Sequence, residues 1–140
     1  MDDLERAIGT NERAVESTPD GHPDLAVRLN NLGNALQSRF ERMGSMDDIE
    51  RAIATMERAI VSTPDGHPDL AGRLNNLRNA LQSRFERTGS MDDIERVIAI
   101  MERAIVSTPD GHPDLAVRLN NLGNALQSRF EWTGSMDDIE

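Results

Sequence analysis

The residues of this chain that could do chemistry come in repeated sets. PDGHPD occurs at Pro19–Asp24, Pro64–Asp69 and Pro109–Asp114 and superficially offers Asp, His and Asp to a metal ion. A protein metal site needs several donors converging on one point. His22, His67 and His112 each stand alone, 45 residues apart, with no second ligand cluster nearby, so the segment reads as a turn and no metal is expected. The MDD carboxylates have no Lys, Cys or Tyr near them, which makes poor acid–base machinery. Ser38 and Ser45 have no His base in the linear pattern, and their helix and cap positions explain them. No catalysis and no cofactor are expected. What remains is the chemistry of amides. RLNNLGNALQSRF stands at Arg28–Phe40 and again at Arg118–Phe130, with RLNNLRNALQSRF between them at Arg73–Phe85. An amide both donates and accepts, which suits it to holding a peptide main chain.

Composition narrows the partners. The chain of 140 residues has 25 acidic and 15 basic side chains, a formal charge of −10. Nucleic acid, which demands a basic footprint, is therefore not an expected partner. All the basic residues are Arg, a good partner for carboxylates and flat groups, although codon bias explains the pattern more simply. Without Cys, disulfides, zinc-thiolate sites and thiol nucleophiles are excluded. No run of ~18 apolar residues could span a membrane, and the acidic start MDDLERAIG is unlike a signal peptide. No membrane partner and a cytoplasmic location are expected. With 3 Phe and 1 Trp, the core must be built from Leu, Ile, Met and Ala, as in close-packed helices.

The elements that position the amides follow from an internal period of 45. Residues 1–45, 46–90 and 91–135 align without a gap, and residues 136–140 open a fourth copy, so the chain reads as a fragment of a longer array. Leu25, Leu29, Leu32, Leu36 and Phe40 fall within an arc of ~80° on a helical wheel, a single apolar stripe. Pro23 suits a first helical turn, and Gly44 suits a left-handed stop. Ser45 is a good N-cap, with Asp48 three residues on as a near capping box. The second stripe is Ile49, Ala52, Ile53, Met56, Ala59 and Ile60, with Asp47 and Arg51 spaced for an i, i+4 pair. Helices are expected near residues 2–17, 24–43, 46–62, 69–88, 91–107 and 114–133. Each has one stripe that it cannot bury alone, and stacking hairpins into a superhelix solves that problem.

Leu29, Leu32-Gly33 and Leu36 on the first helix type, with Ala52, Met56, Ala59 and Pro64 on the second, resemble the tetratricopeptide repeat, over essentially the whole chain. The period exceeds the ~34 residues usual for that family. The longer helices and the LNN…HPD elements resemble the long-repeat subclass of kinesin light chains. The near-identity of the copies resembles arrays in fungal multidomain proteins, including receptors of the nucleotide-binding oligomerisation-domain-like class involved in innate-immunity-like sensing. The resemblance implies an all-α, right-handed superhelical solenoid that binds proteins or peptides. It also places one side of the first-type helices in a concave groove.

On the wheel, Asn30, Asn34 and Gln37 border the apolar stripe, and stacking would align them with Asn75, Asn79 and Gln82 and with Asn120, Asn124 and Gln127. This strip is the expected ligand-binding groove, its rival role being bridging between helices. Asn31 points elsewhere and is expected to be structural. Arg78 replaces Gly33 and Gly123 at the edge of the strip, either as a cation favouring an acidic ligand or as drift paired with a nearby Glu. Val27/Gly72/Val117 and Arg87/Trp132 also vary. Trp132 is expected to pack on a following helix, and Val61 and Val106 on the Pro turn. A rival function is assembly. Helix 2–17 lacks a preceding partner and helix 114–133 a following one, so bare apolar ends would allow end-to-end stacking or hairpin exchange into a homo-oligomer.

Overall fold

The computed structural model describes residues 2–137, whose regular structure is all helical. In chain order the helices are α1 (Asp3–Glu16), α2 (Leu25–Met43), α3 (Met46–Val61), α4 (Leu70–Thr88), α5 (Met91–Val106) and α6 (Leu115–Asp137). The periodic stripes determine how they pack. Leu25, Leu29, Leu32, Leu36 and Phe40 are all buried on α2, and Ile49, Ala52, Ile53, Met56, Ala59 and Ile60 on α3. Burying such a side chain stabilises by about 1.5–3 kcal/mol. The α2–α3 and α4–α5 pairs form antiparallel hairpins. α1 packs on α2, α3 on α4 and α5 on α6, which stacks the array into a solenoid. One main core runs from Phe40 to Ala125, with smaller clusters beneath α1.

The hairpin turn is held differently from the expectation. Gly44 and Gly89 do adopt the left-handed conformation, at φ 76° and 69°, and their N–H groups close onto Phe40 and Phe85. Ser45, however, makes no side-chain cap, and Asp48 does not serve a capping box. Asp48 is buried and takes Arg39 bidentately at 2.9 and 2.8 Å. Asp93 and Arg84 repeat the arrangement. Each ion pair ties the first helix of a hairpin to the second, and the paired carboxylate holds Arg39 and Arg84 above the ordinary arginine range. Arg51 likewise bonds Glu12 of α1 at 3.0 Å instead of its helical neighbour Asp47.

The PDGHPD turns join successive hairpins. Thr18 donates to the Ala14 carbonyl at 2.6 Å and accepts from Arg28 at 2.6 Å, and Thr63–Arg73 and Thr108–Arg118 repeat the link. His22 accepts the Asp24 N–H on Nδ1 at 3.0 Å, so the histidine orders the start of α2. Pro23 sits in the turn closed by the Leu25 N–H on the His22 carbonyl, two residues before the helix begins.

The ends also depart from expectation. α6 runs through Gly134 to Asp137, where a stop near residue 133 was anticipated. Glycine permits a left-handed stop, but in α2 and α4 the return of the chain into a packed, ion-paired hairpin enforces it. Leu119, Leu126 and Phe130 are exposed on α6, whereas Leu29, Leu36 and Phe40 at the matching positions of α2 are buried. α1 carries no large exposed hydrophobic residue. Among the described residues the larger bare apolar face is therefore the one on α6, while Leu4 and Val15 of α1 are only partly exposed. Val61 and Val106 do not pack on the Pro turn; they are 87% and 86% exposed, because the wheel turns them outward beyond the stripe.

Candidate functional site

The first-type helices α2, α4 and α6 line a cleft of about 820 Å³ that reaches from Val27 and Asn30 on α2 to Arg118 on α6. Its floor and rim include Gly72, Asn75, Asn76, His67 and His112. Gly72 stands where Val27 and Val117 stand in the other copies, and a Cβ there would meet only open space. The middle copy thus widens the cleft.

The asparagine pairs divide their work within this cleft. Asn76 Nδ2 donates to Asn30 Oδ1 at 3.0 Å, joining α4 to α2. The first Asn of one repeat therefore reaches the second Asn of the next, a diagonal rung that a wheel of a single helix does not reveal. Asn31 and its counterparts are not a uniform structural set, since Asn76 makes this bridge and Asn121 lines smaller cavities. We expect Asn30→Ala and Asn76→Ala each to cost about 1 kcal/mol in urea unfolding. In a double-mutant cycle their effects should be strongly non-additive; strictly additive losses would show that the rung contributes nothing.

The next rung is not made. Arg78 donates Nε and Nη2 to Asn75 Oδ1 at 3.3 and 3.0 Å, so Asn75 spends its carbonyl on its own helix. α4 and α6 have no direct backbone packing, unlike α2 and α4. The middle copy also differs at the glycine position. At Gly33 an added Cβ would come within 2.6 Å of Met56 Cγ, so that site faces packed side chain and not open groove. Arg78 cannot occupy that space. Met101, which matches Met56, is 7% exposed against 1% for Met56. A cavity of about 210 Å³ opens, bordered by Arg78, Gln82, Phe85, Met101, Asn121 and Asn124. Arg78 is half-buried, joins no ion pair among the described residues, and is held below the ordinary arginine range by desolvation. The Glu partner that drift would require is not there.

The remaining strip residues are more dispersed. Asn34 and Asn120 are exposed, and Asn79 is half-buried. Gln37, Gln82 and Gln127 donate to Glu41, Glu86 and Glu131 along their own helices. The helix that Trp132 was expected to meet lies outside the described residues; within them Trp132 stands edge-on to Phe85 at 6.3 Å. Arg87 occupies the matching place over Phe40 at 5.4 Å. The substitution therefore exchanges a cation–π contact for an aromatic pair. Sequence reasoning missed the Thr–Arg links, although TPD and the Arg ten residues after each Thr recur in every copy.

Among the described residues no group of His and carboxylates is arranged to hold a metal, and no helix is long and apolar enough to cross a membrane. What the cleft offers is the amides of Asn30, Asn75 and Asn76 beside Arg73 and Arg118, each of which is paired with an aspartate, Asp69 and Asp114, on the same rim. No curated relative matches the chain. The tetratricopeptide-repeat family profile matches residues 25–69, 70–114 and 115–140, with each full unit spanning one hairpin, α2–α3 or α4–α5. On its stacked hairpins and this repeated match, the chain belongs to the tetratricopeptide-repeat family, whose repeats serve as protein-interaction and scaffolding modules.

Proposed function

We propose that the cleft along α2, α4 and α6 binds an extended peptide segment of a partner protein, without chemistry on it. The observation that carries this reading is the state of Asn75. An arginine can only donate, so Arg78 forces the Asn75 carbonyl toward itself and leaves the Nδ2 group to point away. Asn75 also lines the large cleft, where that amide can meet a ligand carbonyl. Asn30 likewise gives its carbonyl to Asn76 and keeps its Nδ2. The amides of the strip thus support the array and serve the ligand with different ends of one group. Gly72 and Arg78, which set the middle copy apart, tune what is accepted. In a larger cytoplasmic protein the array would be the partner-sensing end, receptor-like in role, as the fungal resemblance suggests.

A peptide-library pull-down tests this reading. Asn75→Ala/Asn79→Ala should lower affinity for captured peptides about tenfold, the loss of one or two net hydrogen bonds. Undiminished capture by the double variant would show that peptides are held elsewhere.

A further inference from the structure

The outermost described helices, α6 and α1, are the two halves of a hairpin that one molecule does not bring together. We infer that a second copy of this chain docks its α1 on the bare stripe of α6, head to tail, so that the joint rebuilds the α2–α3 hairpin between two molecules. This joint is separate from the cleft and needs no ligand there.

The hairpins inside the chain show what such a joint requires. Leu29 and Ala59 share one buried cluster, Leu36 and Ala52 a second, and Phe40 and Ile49 a third. On α6 the matching residues Leu119, Leu126 and Phe130 are exposed. On α1 the matching residues are Ala14, Ala7 and Leu4. Ala7 is exposed, although Ala52 and Val97 at its position are wholly buried, and Leu4 and Ala14 are half-buried. Large side chains on one face thus meet small ones on the other, as they do within the chain. α6 continues through Gly134 to Asp137 where α2 and α4 turn back, so within the described residues the chain does not cover this stripe itself.

Charge complementarity selects the occupant and its register. Inside the chain an arginine of the first helix takes the aspartate that opens the second, as Arg39 takes Asp48 and Arg84 takes Asp93. At the joint these positions are Arg129 of one molecule and Asp3 of the next, and Asp3 is exposed. Successive second-type helices are also linked, Arg51 to Glu12 and Arg96 to Glu57. The next pair in that series is Arg6 of the second copy with Glu102 of the first. Arg6 has only Asp3 of its own helix at 3.6 Å, and Glu102 is exposed and joins no ion pair among the described residues. In a chain of charge −10, contacts without such pairing are opposed by like charge. Asn11 stands where Met56 and Met101 fill the core, so the joint is looser than the internal hairpins and reversible. The two faces differ, so the contact is heterologous and extends into an open row of molecules.

Sedimentation velocity of the whole chain over a range of concentrations tests this joint. The average mass should rise without stopping at the dimer. A monomer at every concentration, or a dimer that grows no further, overturns the inference. Ala7→Glu and Phe130→Glu each put a charge at an exposed position and block one face, and each should weaken self-association about tenfold. Mixed in equal amounts, the two variants should form a 1:1 pair and nothing larger, because one keeps the α6 face and the other the α1 face. That pair also shows that both variants are folded. No pairing, with the helical circular dichroism of both variants unchanged, overturns the joint. Association that Phe130→Glu abolishes and Ala7→Glu leaves intact does so too, since two α6 faces would then be meeting each other. Arg6→Glu should weaken association about threefold, and Glu102→Arg in the same chain should restore it. A double variant no better than Arg6→Glu alone overturns the register.

Discussion

Replacing Asp93 by alanine is expected to destabilise the array by about 3 kcal/mol, the cost of stripping a buried charge of its partner. The Asp93 side chain is 3% exposed and accepts from both Nε and Nη2 of Arg84, the shortest of these bonds being 2.8 Å. Its removal leaves the guanidinium without its hydrogen-bonded carboxylate and with only a quarter of its side-chain surface in water, so that Glu50 and Glu57 act on it only through space. The pair also sets the α4–α5 turn, so the damage should spread along the solenoid to α5 and α6 and spare α1 to α3. Hydrogen exchange read helix by helix checks this pattern, and urea unfolding checks the magnitude. Arg84→Met/Asp93→Leu, which removes both charges, should recover most of the loss. Arg84 is raised by Asp93, so its share of the stability is fully present below the ordinary arginine pKa. That share is lost only as the pH rises through the raised value, which leaves it constant at neutral pH. A loss under ~1 kcal/mol for Asp93→Ala would mean that solvent serves Arg84 as well as the carboxylate does.

The second large effect belongs to the glycine site. Gly33→Val should cost about 2 kcal/mol through overpacking, since its Cβ would come within 2.6 Å of Met56 Cγ and 3.5 Å of the Ala52 carbonyl. Gly72→Ala on the neighbouring first-type helix is the contrast. Nothing lies within 4 Å of its Cβ, so it should stabilise by roughly 0.5–1 kcal/mol through helix preference alone. Thermal melts of the two variants should therefore move in opposite directions. If Gly33→Val were tolerated as well as Gly72→Ala, Met56 would be free to withdraw, and the cavity at Arg78 would owe nothing to the arginine.

Helix positions, both apolar stripes and the left-handed stop at Gly44 were legible in the chain, because each depends on residues within a few positions of one another. The 45-residue period and the uncapped stripes then required stacking. The amide strip could be located but not interpreted. A wheel shows which side Asn30 occupies, while the rung from Asn30 to Asn76 exists only between two helices one repeat apart. Asp48 was misread for the same reason. Its sequence spacing fits a cap, but a guanidinium brought across the hairpin competes better for a buried carboxylate than an exposed backbone N–H does.

By itself, then, the sequence determined the helices, their period and the kinds of polar group along the inner side. Only the tertiary structure decided how those groups are used. It closes Gly33 on Met56, opens a cavity beside Arg78, and gives the Asn75 carbonyl to the arginine. The physical reason is reach. Helix formation and amphipathic patterning are set within a turn or two of chain, whereas the partner of a buried polar group is chosen by distances of a few ångströms between segments tens of residues apart.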